Sequence, residues 1–466
     1  MALLAVQIDV LHLEILLSDK LPDQQAGSAC ILRKGIIFRM FNRIGRIVDI
    51  LSILLVLLIV GSSDVPRFTG SADRTRVYTR EIEFDYPTWV WDAAWLKLEQ
   101  AAIHAPHTLD RGTGKEVVFE YLRTTINIQQ TELRIEQIYA DPEITDKEAA
   151  TALLRAQLAE YLDRQERLAP FKESILQSQL SEVLAELDLT AIGQPLPPVM
   201  YHNSPTPLAL IVSKREEIVQ IANISVQPTL TLEEQITLEN EVAESLDVST
   251  LVVQIGGVGV YPTMVMETSD LPWMLNTIAH EWTHNYLNLR PLGLNYSTTP
   301  ELRTMNETTA SIVGDEVGLL VLQKYYPQDL TSSRLDPTRE LLSFDLEFRP
   351  SNGIDDTSVF DFRAEMRETR VTADELLAEG KIEEAEAYME QRRQVFWENG
   401  YLLRKLNQAY FAFHGAYADQ PGGAAGEDPV GPAVRALREQ SASLADFINT
   451  IAWMTSFEEL LEAVHE

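Results

Sequence analysis

The chain has 466 residues, of which 45% are hydrophobic, so it is long enough for more than one structural unit and a sizeable core. Its formal net charge of −32 argues against nucleic acid as a partner, because a negatively charged surface repels phosphates. The single cysteine is Cys30, so no disulfide, thiolate ligand or cysteine nucleophile is expected in the chain that follows it.

The most apolar run is Ile50–Val60, and basic residues precede it. This order is typical of a signal peptide or of a signal anchor with its N-terminus inside. We predict an uncleaved anchor within residues 1–63, which makes the following chain membrane-anchored and extracytoplasmic. Cleavage after Ser63, followed by secretion, is the alternative. Translation can begin at Met1 or at Met40, whose following residues form a conventional basic n-region.

Residues 64–193 are predicted to form a mainly helical region of unassigned role. Two stretches in it have long amphipathic spacing: Val117–Glu136 and Glu148–Leu187. Acidic and basic residues alternate along Arg155–Glu182, which predicts a solvent-exposed helix face. His104 and His107 flank a proline and have no companion ligands nearby, so we interpret them as loop residues.

The proline-rich segment Gln194–Pro198 ends the helices and marks a domain boundary. Residues 194–330 are predicted to hold a small sheet and the zinc-binding helices of a catalytic core. The predicted elements of the sheet region are the strands Leu208–Val212, Ile218–Ile224 and Leu251–Ile255 and the helix Leu232–Leu246.

A glycine-rich run, Gly256–Gly259, follows the last of these strands. It lacks the Lys-Ser/Thr pair of a phosphate loop, so nucleotide binding is excluded. We interpret it as a bulged or edge strand, at which a substrate backbone can approach and pair by strand addition. The candidate residues for this contact are Gly257, Gly259 and Tyr261.

His280, Glu281 and His284 form an H-E-x-x-H motif within a predicted helix that begins at Leu271-Pro272. The two histidines are one helical turn apart, so their imidazoles share a face and can bind one Zn²⁺. Glu281 is offset by one position, which lets it face a water molecule at the metal as a general base. The competing interpretation is two core histidines and a solvated glutamate that share a helix by chance.

A catalytic zinc site needs a third protein ligand and one open position. Downstream, Glu307 starts a segment of helical spacing whose apolar positions can pack inward while the carboxylate faces the metal. Glu301 is a rival, although it follows Pro300 in a predicted loop. Asp315 and Glu316 are further rivals, or else partners of a histidine ligand or a helix-end charge pair.

The motif helix and the later Asn306-Glu307-x-x-Ala310 pattern together resemble the gluzincin metallopeptidases, whose third zinc ligand is a glutamate on a second helix. The resemblance makes Glu307 that ligand and implies a thermolysin-like catalytic domain. The second half of the chain also looks like a family of predicted bacterial aminopeptidases with a C-terminal Leu-Asn-Asn-Ala-like signature, which corresponds to Leu406-Asn407-Gln408-Ala409. Gln408 and the Trp282-Thr283 pair depart from that family, so exopeptidase and endopeptidase action both stay open.

Residues 331–466 are predicted to be helical and strongly charged, with a loop from Ala418 to Pro432. The predicted helices cover Arg363–Glu398, Gly400–Tyr417 and a final stretch near Leu444–Leu461. Peptide hydrolysis at zinc needs a donor for the oxyanion opposite the metal. The candidates are Tyr410, His414 and Tyr417.

Taken together, the sequence predicts an α+β, predominantly helical protein. A helical N-terminal region precedes the zinc metallopeptidase domain with its small sheet, and a helical C-terminal region follows. The expected activity is zinc-dependent hydrolysis of a peptide or protein substrate outside the cytoplasm. The alternative is a catalytically inactive, membrane-anchored binding or scaffold protein with the same fold. Neither the substrate nor the oligomeric state follows from the sequence.

Overall fold

The computed structural model describes residues 70–103, 111–140, 144–191, 193–327, 360–401, 403–415 and 429–465. Within these ranges the protein is predominantly helical with small sheets, which confirms the predicted α+β class. The predicted anchor, His104, His107 and Tyr417 lie outside the described residues. None of the helices in these ranges combines the length and the apolarity needed to cross a bilayer.

The N-terminal part is built from α1 (Ser71–Thr79), α2 (Tyr86–Ile103), α3 (Arg111–Ala140) and α4 (Lys147–Glu186). Helices α3 and α4 match the two predicted amphipathic stretches and pack against each other. The Asp146 carboxylate accepts a hydrogen bond from the Ala149 backbone N–H at 2.9 Å and so caps α4. The predicted solvent-exposed face is wrong at Lys172 and Glu173, which are fully buried because residues of α2 and of the first strand cover them.

The strands within the described ranges form two three-stranded sheets. In the first sheet, β2 (Leu208–Lys214) pairs antiparallel with β3 (Gln220–Val226) on one side and with β4 (Val248–Gln254) on the other. In the second sheet, β6 (Thr263–Val265) lies between the other two strands. It is parallel to β1 (Tyr201–Asn203) and antiparallel to β5 (Gly257–Val258). Strand β5 is therefore the edge strand that the glycine-rich run predicted.

The three predicted strands of the first sheet are confirmed, although each is extended or displaced by a few residues. The predicted helix between β3 and β4 is confirmed as α5 (Leu232–Leu246). Thr231 and Glu234 form a capping box at its start. Buried side chains of α5 and of the first sheet share one cluster, so α5 covers one face of that sheet.

Two long helices carry the candidate site: α6 (Leu271–Leu287) and α8 (Pro300–Tyr325), with the short α7 (Pro291–Leu294) between them. Each of the two has a proline in its first turn and a side-chain cap, from Asp270 for α6 and from Thr299 for α8. Glu301 lies in the first turn of α8, so its predicted loop placement is wrong: Thr299 and Pro300 already start the helix.

The C-terminal part is built from α9 (Phe362–Ala378), α10 (Ile382–Glu398), α11 (Gln408–His414), α12 (Val430–Gln440), α13 (Leu444–Ile451) and α14 (Phe457–His465). The predicted helix over 363–398 is interrupted at Gly380, whose φ of +75° turns the chain. The predicted helix from Gly400 is shorter than expected, since α11 begins at Gln408. Residues 430–432 belong to α12 rather than to a loop, and the final predicted helix is divided into α13 and α14.

The main core lies around the two site helices. Its buried side chains come from α3, α4, α6, α8 and α12–α14, so both site helices are anchored on several sides. A second cluster fills the space between the first sheet and α9–α11. The site helices are therefore held by packing that is independent of any bound ion.

Candidate metal centre

Two histidine side chains of α6 meet on one face of the helix. The Nε2 atoms of His280 and His284 are 3.1 Å apart. Both side chains are largely covered, with 13% and 14% of their surface exposed. The structure thus places the two predicted nitrogen ligands side by side, with an opening to solvent.

Glu307 on α8 supplies a third ligand group. Its Oε2 atom lies 3.5 Å from His280 Nε2 and 3.4 Å from His284 Nε2. The three candidate ligand atoms all lie within 4.8 Å of one another. Glu307 is only 1% exposed, and its Oε2 is buried without a hydrogen-bond partner. Because an unsatisfied buried carboxylate oxygen is costly, this arrangement fits a bound cation. We call these three residues the metal triad.

Two further side chains orient the metal triad. Asn306 Oδ1 lies 2.7 Å from His284 Nδ1. A carbonyl oxygen only accepts, so Nδ1 carries the proton and Nε2 of the neutral ring is left free for a metal. The Tyr296 hydroxyl donates a hydrogen bond to Glu307 Oε1, which leaves Oε2 facing the histidines. The Tyr296 ring also meets the His284 ring edge-on, with the centroids 6.1 Å apart.

Sequence patterns do not reveal the role of Tyr296. It lies between α7 and α8, where no periodic spacing indicates which side chain points inward. Asn306 directly precedes the ligand Glu307, so its closeness to the site is visible in the sequence. Which histidine it contacts depends on how α8 packs against α6, and that is a property of the fold.

Glu281 lies between the two histidines and faces strand β5. It is 7% exposed. A Cβ atom at Gly257 would lie 2.6 Å from Glu281 Oε1, and one at Gly259 would lie 2.9 Å from His284 Cβ. A side chain at either position would displace the site, so the close approach of the strand to α6 requires glycine. The structure therefore brings the predicted strand residues Gly257 and Gly259 to the metal triad and Glu281.

The turn after β5 is also fixed to α6. Asn285 Nδ2 donates to the Val260 carbonyl oxygen and to the Thr263 hydroxyl, both at 3.1 Å. Tyr261, within this turn, is 37% exposed, and its hydroxyl donates to the Pro198 carbonyl oxygen at 3.1 Å. The Tyr261 ring is therefore accessible at the surface, just beyond the end of β5.

The charges of the site act on one another. Burial raises the pKa of Glu281 above its ordinary value, and the charges of His284 and His280 only partly oppose this. Burial alone would also raise the pKa of Glu307, but the charges of the two histidines outweigh it and hold that pKa well below its usual range. For His284, burial lowers the pKa, yet the Glu307 carboxylate prevails and raises the pKa to about 9. A site that retains a proton this strongly is one whose electrostatics favour a cation.

The rival acids are engaged elsewhere. Asp315 accepts a hydrogen bond from Asn276 Nδ2 at 2.5 Å. Glu316 pairs with Arg438, at 2.7 and 2.8 Å for its two oxygens. Glu301 is exposed at the start of α8. Of the predicted third ligands, the structure brings Glu307 to the histidines.

Two of the predicted oxyanion donors lie on α11. The rings of Tyr410 and His414 are 4.2 Å apart between centroids, and burial lowers the pKa of His414 to about 4, so this ring is neutral at pH 7. Helix α11 also touches α8, because Arg303 donates to the Ala412 carbonyl oxygen at 2.8 Å. The role of Tyr410 and His414 as oxyanion donors stays a prediction.

The metal triad is the candidate functional site. Two imidazole nitrogens and one carboxylate oxygen converge there, and Glu281 lies beside them. The arrangement can hold a metal ion and leave one position open to solvent. A scan against protein-family models found no match for this chain, and searches of curated proteins and of solved structures found none either.

Proposed function

We propose that the protein is a zinc-dependent metallopeptidase that hydrolyses peptide bonds. The observation that carries the proposal is the convergence of His280 Nε2, His284 Nε2 and the buried Glu307 Oε2, which accepts no well-formed hydrogen bond. This ligand set is that of catalytic zinc sites, whereas calcium and magnesium prefer oxygen ligands alone. The resemblance of the His280–Glu307 segment to the gluzincins, with their thermolysin-like domain, supports the same choice.

The chain's own residues supply the acid–base chemistry. Zinc, when bound, would acidify a water molecule and polarise the carbonyl group of the scissile bond. In the proposal, Glu281 takes a proton from the attacking water and gives it to the leaving amine, a role that suits the buried acid beside the two histidines. Asn306 and Tyr296 keep the ligand atoms of His284 and Glu307 aimed at the same point.

Strand β5 is where we place the peptide substrate. No other strand that the structure describes pairs with its outer side. An extended peptide can add to such an edge through backbone hydrogen bonds. Because Gly257 has no side chain, the strand can approach the Glu281 carboxylate closely, and a peptide paired with the strand would lie near that acid. Tyr261 lies where it can contact a substrate side chain at the end of the strand.

The setting of the activity belongs to the same proposal. The basic flank and apolar run at Ile50–Val60 support a membrane-anchored, extracytoplasmic enzyme, or a secreted one if the segment is cleaved after Ser63. The resemblance to bacterial aminopeptidases supports exopeptidase action, which the site geometry leaves open.

The Glu281→Gln variant tests the proposal, because it keeps the volume and hydrogen-bonding shape of the side chain while removing the base. We expect stoichiometric zinc to be retained and kcat to fall about 10³-fold. Zinc is measured by elemental analysis, and turnover is measured on a peptide library with free and blocked N-termini, which also separates aminopeptidase from endopeptidase action.

Two results would count against the proposal. Full turnover by Glu281→Gln would show that Glu281 is not the general base. A wild-type protein that binds zinc and cleaves no peptide would instead support the binding or scaffold function.

A further inference from the structure

A second group of buried charges lies away from the metal triad. Lys172 and Glu173 of α4 are 0% exposed, and Lys97 of α2 is 7% exposed. Lys97 Nζ lies 2.5 Å from Glu173 Oε2. We call the group the ionic cluster; its members are Lys97, Gln100, Lys172, Glu173, His202 and Asn203. Burying these charges is costly, so their arrangement calls for an explanation.

Asn203 connects the ionic cluster to the second sheet. Its backbone N–H donates to Glu173 Oε1 at 2.9 Å, and its Oδ1 accepts a hydrogen bond from Lys172 Nζ. Its Nδ2 donates to two backbone carbonyl oxygens at the end of β6, those of Val265 at 3.2 Å and Met266 at 3.0 Å. Every polar atom of this side chain is therefore used.

Lys172 decides which way round the Asn203 amide sits. With the oxygen towards the ammonium, the NH₂ group must face the two carbonyl oxygens. The flipped amide would set NH₂ against the ammonium and oxygen against the two carbonyls, and both contacts are repulsive. The buried charge of Lys172 thus orients the neutral Asn203 amide. We call the two hydrogen bonds from Asn203 Nδ2 to the carbonyl oxygens of Val265 and Met266 the clamp.

Strand β6 in turn carries β5. The two strands pair at Gly257 with Val265 and at Val258 with Met264, and the Met266 N–H donates to the Gly256 carbonyl oxygen at 2.8 Å. The residues that Asn203 clamps, Val265 and Met266, are thus the ones that face Gly257 and bond Gly256. The Cβ position of Gly257 is in turn 2.6 Å from the Glu281 carboxylate. A shift of β6 by a few tenths of an ångström would therefore move Gly257 relative to the Glu281 carboxylate.

We infer that Lys172 and Asn203 are positioning residues for the strand at which the peptide substrate pairs, and so set where the peptide lies relative to Glu281. This inference rests on the proposed peptidase function. It assigns a function to part of the helical N-terminal region: through α4, that region holds the substrate strand in place.

The Asn203→Asp variant tests the inference. The carboxylate still accepts from Lys172, but it cannot donate to Val265 and Met266, so the clamp becomes a repulsion. We expect KM for peptides to rise about tenfold, with kcat and zinc content nearly unchanged. We also expect faster hydrogen–deuterium exchange of the backbone amides of residues 257–260. In Lys172→Met we expect KM to rise only about threefold, with a smaller increase of the exchange, because the Asn203 amide is kept and only its orientation is no longer fixed.

Gln165→Glu is the matched control. It is also an amide-to-acid change at a buried side chain, but Gln165 bonds Thr125 between α3 and α4 and has no link to β6. We expect its KM and the exchange at residues 257–260 to be those of the wild type. Where Asn203→Asp does not fold, Asn203→Ser, which also loses the clamp, is measured in its place.

The outcomes separate the inference from the proposed function. Unchanged exchange at residues 257–260 in the Asn203 variant overturns the positioning role, whatever the enzyme cleaves. So does an equal rise of KM in Gln165→Glu, since that would report general destabilisation. If the wild-type protein has no peptidase activity but exchange is faster in Asn203→Asp, the proposed function is overturned. The role of Asn203 in holding β6 and β5 in place is then retained.

Discussion

The metal triad and the ionic cluster are both buried groups of charged side chains, and they differ in one respect. In the ionic cluster, the two oxygens of Glu173 accept from Lys97, Gln100 and Asn203 and contact His202, so the carboxylate is fully satisfied. In the metal triad, one oxygen of Glu307 has no donor. A buried charge therefore does not by itself mark a ligand site; the metal triad is distinguished by an unsatisfied carboxylate oxygen that lies beside two imidazole nitrogens.

Exchanging each carboxylate for its amide is the strongest way to break this comparison. Glu307→Gln replaces the anionic candidate ligand by a neutral amide, which binds zinc more weakly, so we expect zinc affinity to fall at least about 100-fold. Glu173→Gln removes the partner of two buried cations, so we expect the free energy of unfolding to fall by about 3 kcal/mol while zinc affinity is unchanged. Zinc affinity is measured by competition with a chelator, and stability by urea unfolding of the zinc-free protein.

The two substitutions serve as controls for each other. If Glu173→Gln loses zinc as severely as Glu307→Gln, the ionic cluster and the metal triad are not independent. If Glu307→Gln keeps the zinc affinity of the wild type, the Glu307 carboxylate is not the third ligand.

The pH dependence of stability sharpens the comparison further when the wild type is measured against Lys172→Met, because the contribution of the other titrating groups, His284 among them, is common to both proteins. Burial lowers the pKa of Lys172 to about 8, from a model-peptide value of 10.5. Between these two pH values Lys172 binds more protons in the unfolded chain than in the folded one, so its contribution to the free energy of unfolding rises with pH. From pH 7 to pH 10 we expect the wild type to gain about 2 kcal/mol relative to Lys172→Met, measured by urea unfolding at both pH values. A difference that stays constant with pH would show that Lys172 keeps its proton.

The smallest expected effects concern the residues that orient the metal triad. Asn306→Ala frees the His284 ring, and Tyr296→Phe frees Glu307 Oε1, so each should weaken zinc binding about tenfold without removing a ligand. Tyr325→Phe is the matched control, since its hydroxyl also donates to a carboxylate, that of Glu182, near the far end of α8. Zinc affinities of all three variants are compared by chelator competition; equal loss in the control would mean that α8 is loosened as a whole.

Local spacing explains why part of the site is predictable from sequence. His280, Glu281 and His284 lie within five consecutive residues of one helix, so helical geometry alone places them together. The assignment of Glu307 rests on helical spacing and on a resemblance to a known family, and the structure brings this carboxylate to both histidines. The strands and the helix α5 are marked by strong periodicity and by caps, which are also local signals.

The parts that sequence reasoning misses depend on contacts between distant residues. Lys97 and Glu173 are 76 positions apart, and the charge alternation around Glu173 indicates solvent exposure. Only the packing of α2 and β1 against α4 buries that carboxylate. Tyr296 is missed for the same reason, because its contact with Glu307 requires a loop conformation that no local pattern encodes.

The close packing of α6 against α8 has a consequence for which ions the site accepts. A Cβ atom at Gly314 would lie 3.0 Å from the Asn276 carbonyl oxygen, and one at Gly318 would lie 3.1 Å from the Asn276 backbone nitrogen. The close spacing between the helix that carries the imidazoles and the helix that carries the carboxylate thus depends on two glycines, about two and three turns of α8 beyond Glu307. If the metal triad binds zinc as proposed, a methyl group added at this crossing would widen the spacing between the two helices and change the preference for ionic radius, while the three candidate ligand atoms stay the same.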